Sequence, residues 1–218
     1  YIITSESCVF STIGARYIRD IQPGEMVVIN EDGIRTYQLT AAKSHALCVF
    51  EYIYFARPDS NIDGLNVHES RKAMGRELAK QFVGEADVVI PVPNTGLSTA
   101  IGFAEQSGIP YDIGLIKNTY VGRTFIQPNQ KMRDLGVRIK LNPVEAVLKG
   151  KRVVIIDDTI VRGTTSGKII KLLREAGARE VHMCISAPPI THPCYYGIDT
   201  SVRKELIASA HSIEEIRN

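Results

Sequence analysis

From Met74 onward, apolar positions fall into two alternating rhythms. Met74, Leu78 and Phe82 recur every four residues, as on one face of a helix, and residues 87–92 (Asp-Val-Val-Ile-Pro-Val) read as a strand. Leu97, Ile101 and Ala104 form the next helical stripe, Gly108 can close it, and residues 111–116 read as another strand. Asn142-Pro143 has the form of a helix cap followed by a first-turn proline, opening a short helix that ends near Gly150 and leads into a strand at 152–157. Ile169, Ile170, Leu173 and Ala176 line the helix after that strand, Gly177 can cap it, and residues 180–186 form the strand that follows. Alternation of this kind predicts an α/β fold, a parallel sheet flanked by helices on both faces, with ligands at the C-terminal ends of the strands.

The chain before Met74 has a different rhythm. Residues 26–30, a turn at Glu31-Asp32-Gly33 and residues 34–38 predict a β-hairpin in which Gly33 is free to take a positive φ, so the first forty residues read as β-rich. Residues 51–60 (Glu-Tyr-Ile-Tyr-Phe-Ala-Arg-Pro-Asp-Ser) read as an aromatic strand running into a charged turn. Residues 117–142 have weak periodicity, six Lys or Arg residues (117, 123, 131, 133, 138 and 140) and a single acid, Asp134. Long stretches without periodicity inside compact domains are usually functional or disordered. At the other end, Ser212-Ile-Glu-Glu215 is a capping box that starts a helix with little room before Asn218, and the chain opens at Tyr1, so it reads as a piece of something longer.

Composition adds little beyond exclusions. With 218 residues and 44% hydrophobic positions the chain can fill a substantial core, and its formal net charge of +2 gives no argument for a nucleic-acid partner. No apolar stretch approaches the ~20 residues that span a bilayer. Cys8, Cys48, Cys184 and Cys194 are widely spaced with no Cys-x-x-Cys pair, which suggests neither a disulfide framework nor a local zinc site and fits a reducing cytoplasm.

The densest chemistry lies at residues 153–166. An apolar run stops at Asp157-Asp158 and becomes the hydroxyl- and glycine-rich turn Thr159-Ile-Val-Arg-Gly-Thr-Thr-Ser166. A strand delivering its end to such a loop offers free N–H groups and a helix N-terminus to a phosphate. Two acids beside it suggest a divalent cation and sugar hydroxyls, because carboxylates alone would repel the phosphate. A mononucleotide P-loop is excluded: Gly163–Lys168 is one residue short of that spacing, and Ile169 stands where Mg²⁺ needs a hydroxyl. A second strand-end loop, residues 90–96, offers amides and the Thr95 hydroxyl to an anion at the start of the next helix.

The 153–166 run resembles the phosphoribosyl-pyrophosphate (PRPP) motif of type I phosphoribosyltransferases. Residues 51–60, Tyr120-Val-Gly-Arg-Thr-Phe-Ile126, the acidic turn and the hairpin together resemble one family, the glutamine phosphoribosylpyrophosphate amidotransferases of purine synthesis, over essentially the whole chain. The resemblance implies a type I phosphoribosyltransferase fold at 41–218, truncated at its C-terminus, preceded at 1–40 by the tail of an N-terminal-nucleophile glutaminase domain. In that family, ammonia from glutamine displaces pyrophosphate from PRPP to give 5-phosphoribosylamine. Residue 1 is Tyr and Cys8 is internal, without a free α-amino group, so glutamine hydrolysis is not expected of this chain alone.

Residue by residue, the resemblance implies that Asp157 and Asp158 contact Mg²⁺ or ribose hydroxyls and that Thr95 completes the metal's coordination. It assigns Pro93, Thr95, Gly96 and Lys117 to PRPP near the pyrophosphate loop, and Thr159, Val161, Arg162, Gly163, Thr164 and Thr165 to the 5′-phosphate, held mainly through backbone N–H groups. Arg123, with the basic segment folding over the ligand, would stabilise the departing pyrophosphate and exclude water from an oxocarbenium-like species. One branch of the family holds a 4Fe–4S cluster on four cysteines. Cys48 and Cys194 match two of those positions, leaving the site incomplete here. Purine nucleotides are expected as inhibitors and a homo-oligomer as the assembly. The competing readings are a base-salvage phosphoribosyltransferase and a non-catalytic nucleotide-sensing module.

Overall fold

The computed structural model describes residues 1–41, 45–120, 140–198, 200 and 202–217. The fold divides into two units, Tyr1–His68 and Glu69–Asn218. The boundary expected at 40/41 lies inside the first unit.

In the first unit, a short helix α1 (Cys8–Thr12) is followed by a hairpin of β1 (Glu25–Asn30) and β2 (Gly33–Gln38), in register from Glu25↔Gln38 to Asn30↔Gly33. The hairpin turns where its Glu31-Asp32-Gly33 sequence placed it. Residues 51–60 depart from the expected strand. Glu51–Phe55 is a π-helical turn closed by the Ala56 N–H donating to Glu51 O (3.1 Å), with Tyr52, Ile53 and Ala56 buried. Its buried positions fall at i, i+1 and i+4, a helical spacing that the aromatic run disguises. A second small hairpin, β3 (Asn61–Ile62) and β4 (Leu65–Asn66), is tied back to residues 6 and 7. The Glu6 carboxylate accepts from the Arg57 N–H (2.8 Å) and the Ser60 hydroxyl (2.9 Å), and the Ser7 hydroxyl accepts from the Asn61 N–H (2.7 Å).

Helix α2 (Val67–Gln81) leads into the second unit, whose centre is a parallel sheet of β5 (Val88–Pro91), β8 (Arg152–Asp157) and β9 (Glu180–Ile185), in the order β5-β8-β9. On the far side of β5, Tyr111 bridges Val89 in parallel. Alternate residues point to opposite faces. Val88, Ile90, Val92, Val153 and Ile155 pack with Ile169, Leu172 and Leu173 of α5 (Thr164–Glu175) and with Leu148 of the short α4 (Glu145–Leu148). Val89, Val154 and Ile156 pack with Ala100 and Phe103 of α3 (Leu97–Ser107) and with Leu78 and Ala79 of α2. Both faces are therefore covered, which is why β5 and β8 are continuous apolar runs rather than alternating ones.

Two sequence expectations change here. Of residues 111–116, only Tyr111 joins the parallel sheet. Leu115–Lys117 forms β6, which pairs antiparallel with β7 (Leu141–Pro143), Leu115 opposite Pro143 and Lys117 opposite Leu141. Asn142-Pro143 is consequently strand rather than cap and first turn. The short helix begins two residues later, its entry fixed by the Val144 N–H donating to Gly114 O (2.9 Å). The capping box holds: Ser212 N–H donates to Glu215 Oε2 (2.7 Å), Glu215 N–H donates to Ser212 Oγ (3.3 Å), and α6 (Ile213–Arg217) follows.

Candidate active site

From β5 the chain leaves through α3 toward Tyr111 on one side. From β8 it leaves through α5 toward β9 on the other. Neighbouring strands whose connections depart in opposite directions open a crevice at their C-terminal ends, the usual ligand position in such sheets. Two loops border this crevice, residues 92–96 after β5 and residues 158–163 after β8.

The loops are joined by hydrogen bonds. Thr95 Oγ1 donates to Asp157 Oδ1 (3.1 Å), the same oxygen that accepts the Asp158 N–H (2.9 Å), while Thr159 Oγ1 donates to Asp158 Oδ2 (3.1 Å). The first loop is pressed against β8 by Val92 N–H donating to Ile156 O (2.8 Å). Gly96 makes that approach possible: a Cβ on it would lie 2.2 Å from Ile156 O and 3.0 Å from Val92 N. The glycine thus acts as a spacer that sets the height of Thr95 over the acids, a role the sequence did not reveal.

Asp157 and Asp158 are 9% and 6% exposed, adjacent, and without a cationic partner in any hydrogen bond or ion pair among the described residues. Burial first, and then the hydrogen bond and charge of Asp158, hold the Asp157 carboxyl above the usual carboxylate range. A buried carboxylate pair of this kind is costly alone and suited to a bound cation. Among the described residues no three His, Cys, Asp or Glu side chains gather into a metal cage. Two carboxylates and a hydroxyl suit Mg²⁺, which is commonly held by one or two carboxylates with waters and ligand oxygens completing its octahedron.

The second loop ends at Gly163 (φ 74°), from which α5 starts. Thr164 and Thr165 sit exposed in the helix's first turn, where N–H groups have no intrahelical acceptor and the dipole is positive. Val161 and Gly163 are half-buried and Thr159 stands beside the acids. Arg162 is placed differently from a phosphate-gripping side chain: its guanidinium is bound to the Glu205 carboxylate (Nε to Oε2, 2.9 Å).

Pro93 and Lys117 share one cavity lining. With Pro91, Asn94, Leu97, Asn118 and Lys140 they line a cavity of about 800 Å³, where Lys117 is exposed on β6 and Asn118 N–H donates to Lys140 O (2.9 Å). Lys140 and Asn118 fall in the basic segment and Asn94 in the strand-end loop that the sequence singled out, but none of the three was named there for a role of its own. Arg123 lies outside the described residues, as do Lys131, Arg133 and Arg138.

All four cysteines are free thiols. Cys48 is exposed in the first unit, and Cys194, in the second, is held below the ordinary thiol range by backbone N–H groups of Tyr196, Ile198 and Gly197. Cys8 is buried, and burial pushes the Cys184 thiol, on β9 against the sheet, up to about 11. These residues do not fit a four-cysteine cluster, because the two unmatched thiols are committed to cores.

The chain resembles known proteins over nearly all of its length. The phosphoribosyl transferase domain matches residues 62–209. The amidophosphoribosyltransferase of Bacillus subtilis is 58% identical over 217 residues, covering 100% of this chain and 46% of the relative, and that of Synechococcus elongatus is 56% identical, covering 99% and 44%. A solved glutamine PRPP amidotransferase from B. subtilis, complexed with ADP and GMP, superposes with a TM-score of 0.90 at 59% identity, covering 98% of this chain and 47% of the solved one. The chain thus spans about half the length of the curated relatives it matches. On these likenesses, and on a sheet whose strand ends meet as described, the chain belongs to the phosphoribosyl transferase family, and within it is similar to a stretch of the amidophosphoribosyltransferases.

Proposed function

We propose that this chain is the PRPP-handling part of an amidophosphoribosyltransferase, which displaces pyrophosphate from PRPP with ammonia to form 5-phosphoribosylamine. The observation that carries this reading is the buried Asp157–Asp158 pair, linked through Thr95 to the neighbouring loop at the sheet's switch point. In this reading Asp157, Asp158 and Thr95 would hold Mg²⁺, which when bound would offset part of the negative charge of the acids and the pyrophosphate. The amides of Thr159, Val161, Arg162, Gly163, Thr164 and Thr165 hold the 5′-phosphate, and Pro93, Thr95, Gly96 and Lys117 border the pyrophosphate. Arg123 meets the leaving pyrophosphate from the basic segment. As the ribose C1–oxygen bond breaks, the nitrogen lone pair forms the new C1–N bond and a proton leaves the nitrogen to solvent.

Residues 1–40 are read as the end of a glutaminase domain, supported by the apolar side chains that the hairpin leaves exposed, among them Met26, Val28, Ile34 and Tyr37. Glutamine is proposed as the source of the ammonia. Purine nucleotides are proposed as inhibitors, in line with the ADP and GMP of the solved relative, and a homo-oligomer as the assembly. No helix among the described residues is long and apolar enough to cross a membrane, and a cytoplasmic site of action is proposed. Cys48 and Cys194 are proposed as cluster ligands only in company with cysteines of a longer chain.

Pyrophosphate release from Mg·PRPP, measured with ammonium and separately with free purine or pyrimidine bases, tests the reading. Release with ammonium alone is expected; release with a base alone would assign the chain to base salvage.

The raised Asp157 carboxyl gives a pH signature. Folded and metal-free, the chain retains a proton that the unfolded chain loses in the ordinary carboxylate range, so this contribution to stability falls as pH rises above that range. Mg²⁺ binds the deprotonated form. Its stabilisation, read as the Tm difference with and without Mg²⁺, is therefore expected to grow between about pH 5 and pH 8. A Tm difference constant across that interval would contradict the proposed Mg²⁺ site.

A further inference from the structure

The loop assigned to the 5′-phosphate is held by a distant segment, Arg162 meeting a partner 43 residues further along. Three consecutive residues of that loop are engaged by a strap of two 3₁₀ turns, Arg203–Glu205 and Ile207–Ser209. Val161 O accepts the Ile207 N–H (2.9 Å), the Arg162 guanidinium binds Glu205 Oε2 through both Nε (2.9 Å) and a terminal nitrogen, and the Ile207 side chain approaches Gly163 so closely that a Cβ there would lie 2.8 Å from Ile207 Cδ1. The strap is buried at its middle and braced from within. Leu206 is 1% exposed, its N–H donates to Arg203 O (3.0 Å), and Ser209 Oγ donates to the same carbonyl (2.8 Å). None of these residues reaches the acids or Thr95 in the hydrogen bonds described, so the strap acts on one end of the crevice only.

We infer that Glu205 is a positioning residue for the 5′-phosphate loop: by tethering Arg162 outward, together with the Ile207–Val161 bond, it fixes the backbone of residues 161–163 with its amides free for the ligand. This rests on the functional reading above and deepens it. The physical need is clear in the loop's composition. Amides bind phosphate well only when the turn is set beforehand, since ordering the loop at the moment of binding subtracts from affinity. An unrestrained arginine beside the loop would also draw the phosphate toward its own mobile side chain. Both partners are about half exposed, 49% and 48%, so the ion pair's contribution is small and salt-sensitive.

The test compares the two ends of the substrate. Ribose 5-phosphate probes the strapped loop, and Mg²⁺ with inorganic pyrophosphate probes the Thr95 side, both titrated calorimetrically into the full chain and into Glu205→Ala and Glu205→Gln. The expected result is about a fivefold weaker ribose 5-phosphate affinity in Glu205→Ala, with pyrophosphate affinity unchanged, and a difference from the parent that shrinks at high salt. Glu205→Gln, which keeps an acceptor for Arg162, is expected to lose less. Equal ribose 5-phosphate affinity in parent and variants would overturn the inference while leaving the functional reading intact. Tighter binding in Glu205→Ala would also overturn it, since Glu205 would then be competing with the phosphate for Arg162. Parallel loss of both ligands would reduce the strap to general stability and overturn its specific role. A parent that binds neither ribose 5-phosphate nor PRPP would fell the functional reading itself, and this inference with it.

Discussion

Asp157→Asn combined with Asp158→Asn is expected to lower ammonium-dependent pyrophosphate release at least about a thousandfold, ~4 kcal/mol of transition-state stabilisation, while the variant stays folded. The two effects have one cause. Both side chains are buried at the end of β8, where negative charge is expensive without a cation, as the upward displacement of the Asp157 carboxyl records. Asparagine preserves shape. Its carbonyl can still accept the Asp158-position N–H and the Thr95 hydroxyl, the two bonds that Asp157 Oδ1 accepts. What disappears is the charge that holds a divalent cation. The metal-free variant should therefore melt no lower than the parent near neutral pH, and its Tm should not respond to Mg²⁺. Activity within tenfold of the parent would show that these acids do not do the work assigned to them.

Gly96→Ala is expected to cost about a hundredfold in kcat/KM together with ~1–3 kcal/mol of stability. The added methyl would sit 2.2 Å from Ile156 O, 3.0 Å from Val92 N and 3.1 Å from Ile156 C, all backbone atoms that cannot rotate aside. Relief requires the loop to lift from β8 by on the order of 1 Å, and displacements of that size commonly cost two orders of magnitude in rate. Thr95 is the neighbouring residue, so its 3.1 Å bond to Asp157 breaks in the same movement. Steady-state kinetics and thermal melting measure the two effects side by side. Parent-like kinetics in a folded Gly96→Ala chain would show that the spacing between the loops is not critical.

Much of this architecture was legible in the sequence because burial on both faces writes itself as uninterrupted apolar runs. The strand expected at 152–157 is the strand observed, and the acids appear at its tip as the pattern indicated. The hairpin and the Ser212–Glu215 box were equally readable, since each depends on residues only a few positions apart. Expectations failed where distant pairing decided the outcome. Asn142-Pro143 carries a good local cap signal, yet pairing with Leu115–Lys117 draws it into a strand. Tyr52-Ile-Tyr-Phe favours a strand by residue type, but burial of Tyr52, Ile53 and Ala56 winds it into a π-helical turn. In the site, Thr95, Asp157 and Asp158 converge as their loops suggested. The Arg162 side chain turns instead to Glu205, a partner 43 residues away that no local motif announces. Gly96 was readable as part of an anion loop but not as a spacer, because its reason is the carbonyl of another strand.

In the proposed function, the crevice between β5 and β8 seats a magnesium-bound sugar pyrophosphate. Isothermal titration of PRPP into the chain, with Mg²⁺ and with a chelator, addresses it most directly. Saturable one-to-one binding that requires Mg²⁺ is the predicted result. Absence of binding heat in both conditions, at protein concentrations where the chain is folded, would contradict it.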